Sequence, residues 1–200
     1  MLVIGLTGPT GSGKGHVAEL FEAYGLPVIN ADEVYHGLLN PPSLCLEELT
    51  DRFGVGILKE DGTLNRRALG MLVFSDPKEL DALNTITHHH VMAEIRRRLE
   101  QLRREDTRAA VIDAPQLFEA GADRDCNVIV SVLADKMLRL ERIMRRDEID
   151  AAAAMQRIDA QKNDAFFRTH SDYIIENNDS TDRLSPEVHR ILCEMGVITA

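Results

Sequence analysis

The feature that most constrains this chain is the order strand, glycine loop, helix at its start, MLVIGLTGPTGSGKGHVAELF. Residues 2–6 are a short apolar run without alternation, the pattern of a strand covered on both faces. GPTGSGKG follows, Gly8 to Gly15. Beyond it, Val17, Leu20, Phe21 and Tyr24 fall on one face of a helical stretch, 16–24. A glycine loop in this setting is built to wrap an anion. Gly8, Gly11 and Gly13 allow backbone shapes that side chains forbid, so successive N–H groups can converge on a phosphate. The start of the helix adds its partial positive charge, and Lys14 adds a full one.

The loop departs from the phosphate-loop pattern G-x-x-x-x-G-K-[ST] at its last position. Gly15 stands where a Ser or Thr hydroxyl would reach Mg²⁺. Water can fill the missing ligand position, so weaker metal coordination is expected, without necessary loss of nucleotide binding.

The rest of the chain repeats the alternation. Apolar runs at 26–30, 109–113 and 127–132, and a weaker one at 173–176, predict strands. Helical stretches are expected at 77–104, 136–146, 149–166 and 186–195. Strands alternating with helices predict an α/β fold with a parallel five-stranded sheet flanked by helices. We read residues 1–200 as a single domain. The roughly 80 residues between the second and third runs exceed what one crossover needs. Residues 41–104 are therefore expected to form an inserted helical lobe.

Composition limits the function classes. The formal net charge of −10 argues against a general nucleic-acid binder, and any phosphate site must rest on locally focused positive charge. Three widely spaced cysteines, Cys45, Cys126 and Cys193, suggest free thiols and a cytoplasmic setting. No run approaches the ~20 apolar residues of a membrane helix, and the first residues lack the pattern of a signal peptide, so no membrane role is expected.

Acids and bases at strand and helix ends are the remaining candidates. Asp32 follows the second run, where it could accept a proton from an attacking hydroxyl; alternatively Asn30 or Asp32 is a helix N-cap. Asp113 ends the third run and is either a metal-holding acid or a solvated turn residue. Arg142 and Arg146 share a helix face at i, i+4, suited to clamping phosphates or stacking on adenine, or merely a solvated basic helix end. Arg157 is a second candidate, and the two would flank a short mobile hairpin, 145–160, a candidate lid. His88, His89 and His90 cannot converge on one metal from a single helix, because neighbours are ~100° apart.

Over nearly its whole length the chain resembles the dephospho-coenzyme A kinase family. GLTGPTGSGKG, NADEVYH, DGTLNRRALGMLVFSDP, ITHHHV, DAPQLFEAG, LERIMRRD, RIDAQ and SDYIIENN carry the resemblance in order. It implies a phosphate-loop kinase fold with a nucleotide-binding core, a helical substrate lobe and a lid. It implies transfer of the γ-phosphate of ATP, with Mg²⁺, to the ribose 3′-hydroxyl of dephospho-coenzyme A. By this resemblance Asp32, Lys14 and Arg146 are catalytic. Gly8, Gly11, Ser12, Gly13, Lys14, Gly15, His16, Arg142 and Asn177 contact nucleotide, and Asp32, His36, Arg66 and His88 contact substrate. Asp113 is the candidate metal acid. Asn30 and Gly15 depart from the family pattern beside the chemistry, and Gln116 and His89 depart from it elsewhere. Two rival readings remain: a kinase for another small alcohol, or a nucleotide binder that has lost catalysis.

Overall fold

A computed structural model describes residues 1–178 and 183–199. The chain divides into two compact units, one of residues 1–29 and 102–200, the other of residues 30–101.

The first unit is built on a five-stranded parallel sheet ordered β2-β3-β1-β4-β5. Its strands are β1 (Leu2–Thr7), β2 (Val28–Asn30), β3 (Ala109–Asp113), β4 (Val128–Leu133) and β5 (Tyr173–Glu176). β1 lies between β3 and β4, pairing Ile4 with Val111 on one side and Val128 on the other. A central parallel strand must be apolar on both faces, and β1 has Val3, Ile4 and Leu6 at 0 or 1% exposure. Helices α1 (Lys14–Ala23) and α9 (Leu184–Glu194) complete a core of Ile4, Leu6, Val17, Phe21, Val130, Val132, Ile175, Val188 and Ile191.

Helices α6 (Lys136–Asp147) and α7 (Ala151–Asp159) pack on each other through Leu140, Ile143, Ala154 and Ile158. The continuous helix expected over 149–166 is instead two. α7 stops at Asp159 and α8 (Asp164–His170) begins afresh, because Asn163 caps it by accepting from Phe166 N at 2.9 Å.

The second unit is helical: α2 (Ala31–Leu38), α3 (Leu44–Phe53), α4 (Arg66–Val73) and most of α5 (Pro77–Arg104), whose residues from Leu102 on belong to the first unit. Leu39, Leu46, Leu49, Ile57, Leu69, Val73 and Ile86 form its core. The compact unit begins at Asn30, ahead of the expected lobe limit at Pro41, because Tyr35, Leu38 and Leu39 pack into that same core.

Candidate nucleotide and phosphate site

The glycine loop runs from β1 into α1, and its three inner glycines are at positive φ: Gly8 at 150°, Gly11 at 78° and Gly13 at 92°. Each is also hemmed in. A Cβ on Gly8 would stand 2.3 Å from Val132 O, one on Gly11 2.8 Å from Arg139 O, and one on Gly13 2.0 Å from Asn177 Nδ2. Among the described residues no side chain caps the start of α1, and its first turn holds no acid. The free N–H groups and the helix dipole thus point to an anion.

The outward carbonyls of the loop are held from two other elements. Arg142 of α6 donates through Nη1 to Gly11 O at 3.2 Å and Ser12 O at 3.4 Å, and through Nη2 to Asn177 O at 3.1 Å. Asn177, just past β5 and 4% exposed, donates from Nδ2 to Ser12 O at 2.7 Å. Tying carbonyls outward leaves the amides to face inward. Burial pushes the Arg142 guanidinium down from its ordinary pKa, and the neighbouring Arg145 charge adds to this. Arg142, expected near adenine, is here first a clamp on the loop. Arg146 reaches the loop only at its edge, with Nη2 3.5 Å from Thr10 Oγ1. Its guanidinium forms a two-pronged pair with Asp147, at 2.7 and 3.0 Å, and Arg157 pairs with the same carboxylate. Hydrogen bonds from Arg146 hold the Asp147 carboxyl below the usual range.

Lys14 and Asp113 form an ion pair at the carboxyl ends of β1 and β3. Asp113 is 2% exposed, so it is not the solvated turn residue that the strand-end position also allowed. A buried carboxylate survives only with such partners. Asp113 offers one carboxylate, already paired with Lys14, and among the described residues no group of three or more His, Cys, Asp or Glu is placed to hold a metal ion. Beyond its own helix backbone and chain neighbours, no described atom lies within 4 Å of where a Gly15 Cβ would stand. Water therefore has room at the position where the hydroxyl is missing. Ser12 Oγ is buried and, among the described residues, without a hydrogen-bond partner. His16 points to Glu19 at 3.1 Å on the exposed side of α1.

Asp32, His36, Arg66 and His88 belong to the second unit. Asn30, not Asp32, caps α2: its Oδ1 accepts from Asp32 N at 2.9 Å and Glu33 N at 3.1 Å. Replacing an acid by Asn at position 30 thus keeps the cap, and the exposed Asp32 carboxylate is not spent on it. Arg66 Nη2 stands 2.9 Å from His36 Nδ1; an arginine only donates, so this His36 nitrogen accepts. Beside them burial raises the Tyr35 hydroxyl pKa, and the Arg66 charge offsets part of that. His88 is half-buried on α5.

Sequence reasoning missed Arg139 and Gln161. Arg139, 3% exposed, donates to Thr10 O at 3.0 Å, and Gln161 Oε1 accepts from Thr10 N at 2.8 Å. A signal existed for the first: Arg139, Arg142 and Arg146 recur at i, i+3 and i+7, one stripe of α6.

A parallel sheet with a glycine loop after its central strand, a lysine at the helix start and an acid ending the next strand defines a phosphate-loop kinase. The more particular assignment comes from relatives. A family model described as "Dephospho-CoA kinase" matches residues 2–183. A "Dephospho-CoA kinase" of Syntrophotalea carbinolica is 38% identical over 195 residues, covering 98% of this chain and 92% of that protein. Among solved structures, TT1252 from Thermus thermophilus superposes with a TM-score of 0.81 at 31% identity, covering 97% of each chain. A "Dephospho-CoA kinase from Campylobacter jejuni" gives 0.74 at 28% identity, covering 98% of each. The chain belongs to the dephospho-CoA kinase family. Among the described residues no helix is long and apolar enough to cross a membrane.

Proposed function

We propose that this protein transfers the γ-phosphate of ATP to the ribose 3′-hydroxyl of dephospho-coenzyme A, releasing coenzyme A and ADP, the last step of coenzyme A biosynthesis. The carrying observation is the loop, its Gly11 and Ser12 carbonyls held by Arg142 and Asn177, with Lys14 paired to buried Asp113. Phosphoryl transfer needs positioning and charge stabilisation more than covalent help, and that is what this loop offers.

In this reading the loop at Gly8, Gly11, Gly13 and Gly15, with Lys14, Ser12 and His16, holds the phosphates. Arg142 and Asn177 flank the base while they brace the loop. Asp113 would hold Mg²⁺, with water in place of the Gly15 hydroxyl. Mg²⁺, when bound, neutralises charge on the phosphates. Asp32 orients the 3′-hydroxyl and takes its proton as the O3′–P bond forms and the bond to ADP breaks. His36, Arg66 and His88 bind the acceptor from the helical lobe. The hairpin 145–160 is the lid: Arg146 leaves Asp147 for the transferring phosphate on closure. The setting is cytoplasmic, in keeping with three free thiols.

A binder that has lost catalysis finds no support in the loop. Gly15 stands in open space, and Asn30 still caps its helix. Steady-state assays with Mg-ATP and a panel of acceptors test the assignment. Dephospho-coenzyme A should exceed shikimate and simple nucleosides by at least ~100-fold in kcat/KM, a margin in reach of a site built for polar contacts. Equal use of an unrelated alcohol would move the protein to another substrate.

A further inference from the structure

Thr10 lies outside the ring of glycines, yet every polar group it owns is engaged. Its N–H donates to Gln161 Oε1 at 2.8 Å, its carbonyl accepts from Arg139 Nε at 3.0 Å, and its hydroxyl meets Arg146 Nη2 at 3.5 Å. The three partners come from both ends of the α6–α7 hairpin. Arg139 and Arg146 lie on α6, and Gln161 lies between the end of α7 at Asp159 and the α8 cap at Asn163. Arg139 extends the connection, donating from Nη1 to Asp164 Oδ1 at 3.3 Å in the first turn of α8. Its own backbone closes on the next loop residue, since Gly11 has no room for a Cβ beside Arg139 O.

This arrangement is costly for stability alone. The Arg139 side chain is 4% exposed, its Asp164 partner 44%. Among the described residues its Nη2 has no hydrogen-bond partner. Burial lowers its pKa, and Asp164 only partly reverses this. A buried guanidinium so incompletely matched is commonly no better for stability than an apolar side chain of similar volume. What the arginine does that a methionine would not is hold the Thr10 carbonyl and tie it to Asp164 of α8. The Thr10 amide, taken by Gln161, is likewise turned away from the phosphate-facing set.

We infer that Gln161 and Arg139 are positioning residues for phosphoryl transfer: they grip the phosphate loop at Thr10 and pass the position of the lid hairpin to the loop. The inference rests on the kinase reading above. With the hairpin seated, Thr10 is fixed on three sides and the loop amides stay aimed. With the hairpin displaced, Gln161 and Arg146 leave together and the loop entrance loosens.

Gln161 is exposed, so its replacement leaves the core intact. Gln161→Leu removes the acceptor; Gln161→Glu keeps it. The amide exchange rate of Thr10, followed by NMR in the nucleotide-free protein, should rise about tenfold in Gln161→Leu, as expected for loss of one hydrogen bond. KM for ATP should rise by a similar factor with KM for the acceptor unchanged, and Gln161→Glu should recover most of both. Arg139→Met should raise KM for ATP at a Tm equal to or above that of the parent; a merely structural arginine would lower Tm and spare KM. Unchanged exchange and KM in Gln161→Leu, or equal losses in Leu and Glu, would overturn the inference. Should the parent protein fail to phosphorylate dephospho-coenzyme A, the kinase reading falls. The exchange comparison still decides whether Gln161 holds the loop.

Discussion

The phosphate loop and the Asp32–His36–Arg66 group differ in how far the protein fixes them before any ligand arrives. In the loop, three glycines sit where no Cβ fits, and the carbonyls of Thr10, Gly11 and Ser12 are clamped by side chains from elements far along the chain. In the second unit, Asp32, His36 and Arg66 are exposed on helix surfaces. Phosphate is common to every nucleotide, and a rigid cradle for it requires no adjustment during reaction. In the proposed reaction the acceptor is the variable partner, to be met by exposed side chains whose role depends on what they bind. The ion pair of Lys14 with buried Asp113 belongs to the rigid side of this contrast.

The contrast is broken most severely at Gly13. A Cβ there would stand 2.0 Å from the buried Asn177 amide at a φ of 92°, so Gly13→Ala should abolish turnover to below ~0.1% and lower Tm. Assay and thermal melt together check this; near-normal activity would show that the loop is not rigid. Next comes Asp32→Asn. Turnover should fall ~10²- to 10⁴-fold, the range of a lost general base, with ATP affinity and Tm near the parent values. Equal rates would remove Asp32 as the base, and a lost Tm would make it structural.

A smaller effect is expected of Arg142→Ala, about tenfold to a hundredfold in kcat/KM for ATP, because the Gly11 carbonyl loses its arginine donor and the Ser12 carbonyl keeps only Asn177. Its check is a kinetic titration of ATP at saturating acceptor. Gly15→Ser sharpens the comparison from inside the loop. The added side chain meets open space, so it should fold normally and reduce the Mg²⁺ concentration needed for half-maximal rate a few-fold. An unchanged Mg²⁺ dependence would mean that water already serves fully at that position.

The smallest effect concerns pH. Asp147 is held below the ordinary carboxylate range by Arg146, so the contribution of the Arg146–Asp147 pair is present above the unfolded carboxyl pKa, about 4, and fades as pH falls through the lower folded value. Carboxyl NMR titration should show Asp147 returning toward the ordinary range in Arg146→Ala.

Much of the rigid region was legible in the sequence because its causes are local. Gly8, Gly11, Gly13 and Lys14 lie in eight consecutive residues flanked by a strand and a helix, and backbone freedom and charge placement follow from spacing alone. The alternation of buried runs with helices gave the sheet for the same reason. Arg139 and Gln161 were not legible. They act on Thr10 across 129 and 151 residues, and a charged residue on a charged helix reads as solvated until packing buries it. The helix break at 160–163 was missed because an alanine-rich, polar stretch has helical propensity throughout, and only the Asn163 cap marks the restart. Asp113 was readable as an acid at a strand end, but its burial and its pairing with Lys14 needed the fold.

One measurement tests the central assignment most directly: the product formed from Mg-ATP and dephospho-coenzyme A, identified by phosphorus NMR. The expected result is a new phosphomonoester on the ribose 3′-oxygen, one ADP formed for each, and at most about a hundredth as much in Asp32→Asn over the same time. ATP consumed with no 3′-phosphate, or a phosphate on another oxygen, from a folded and ATP-binding protein would contradict the assignment.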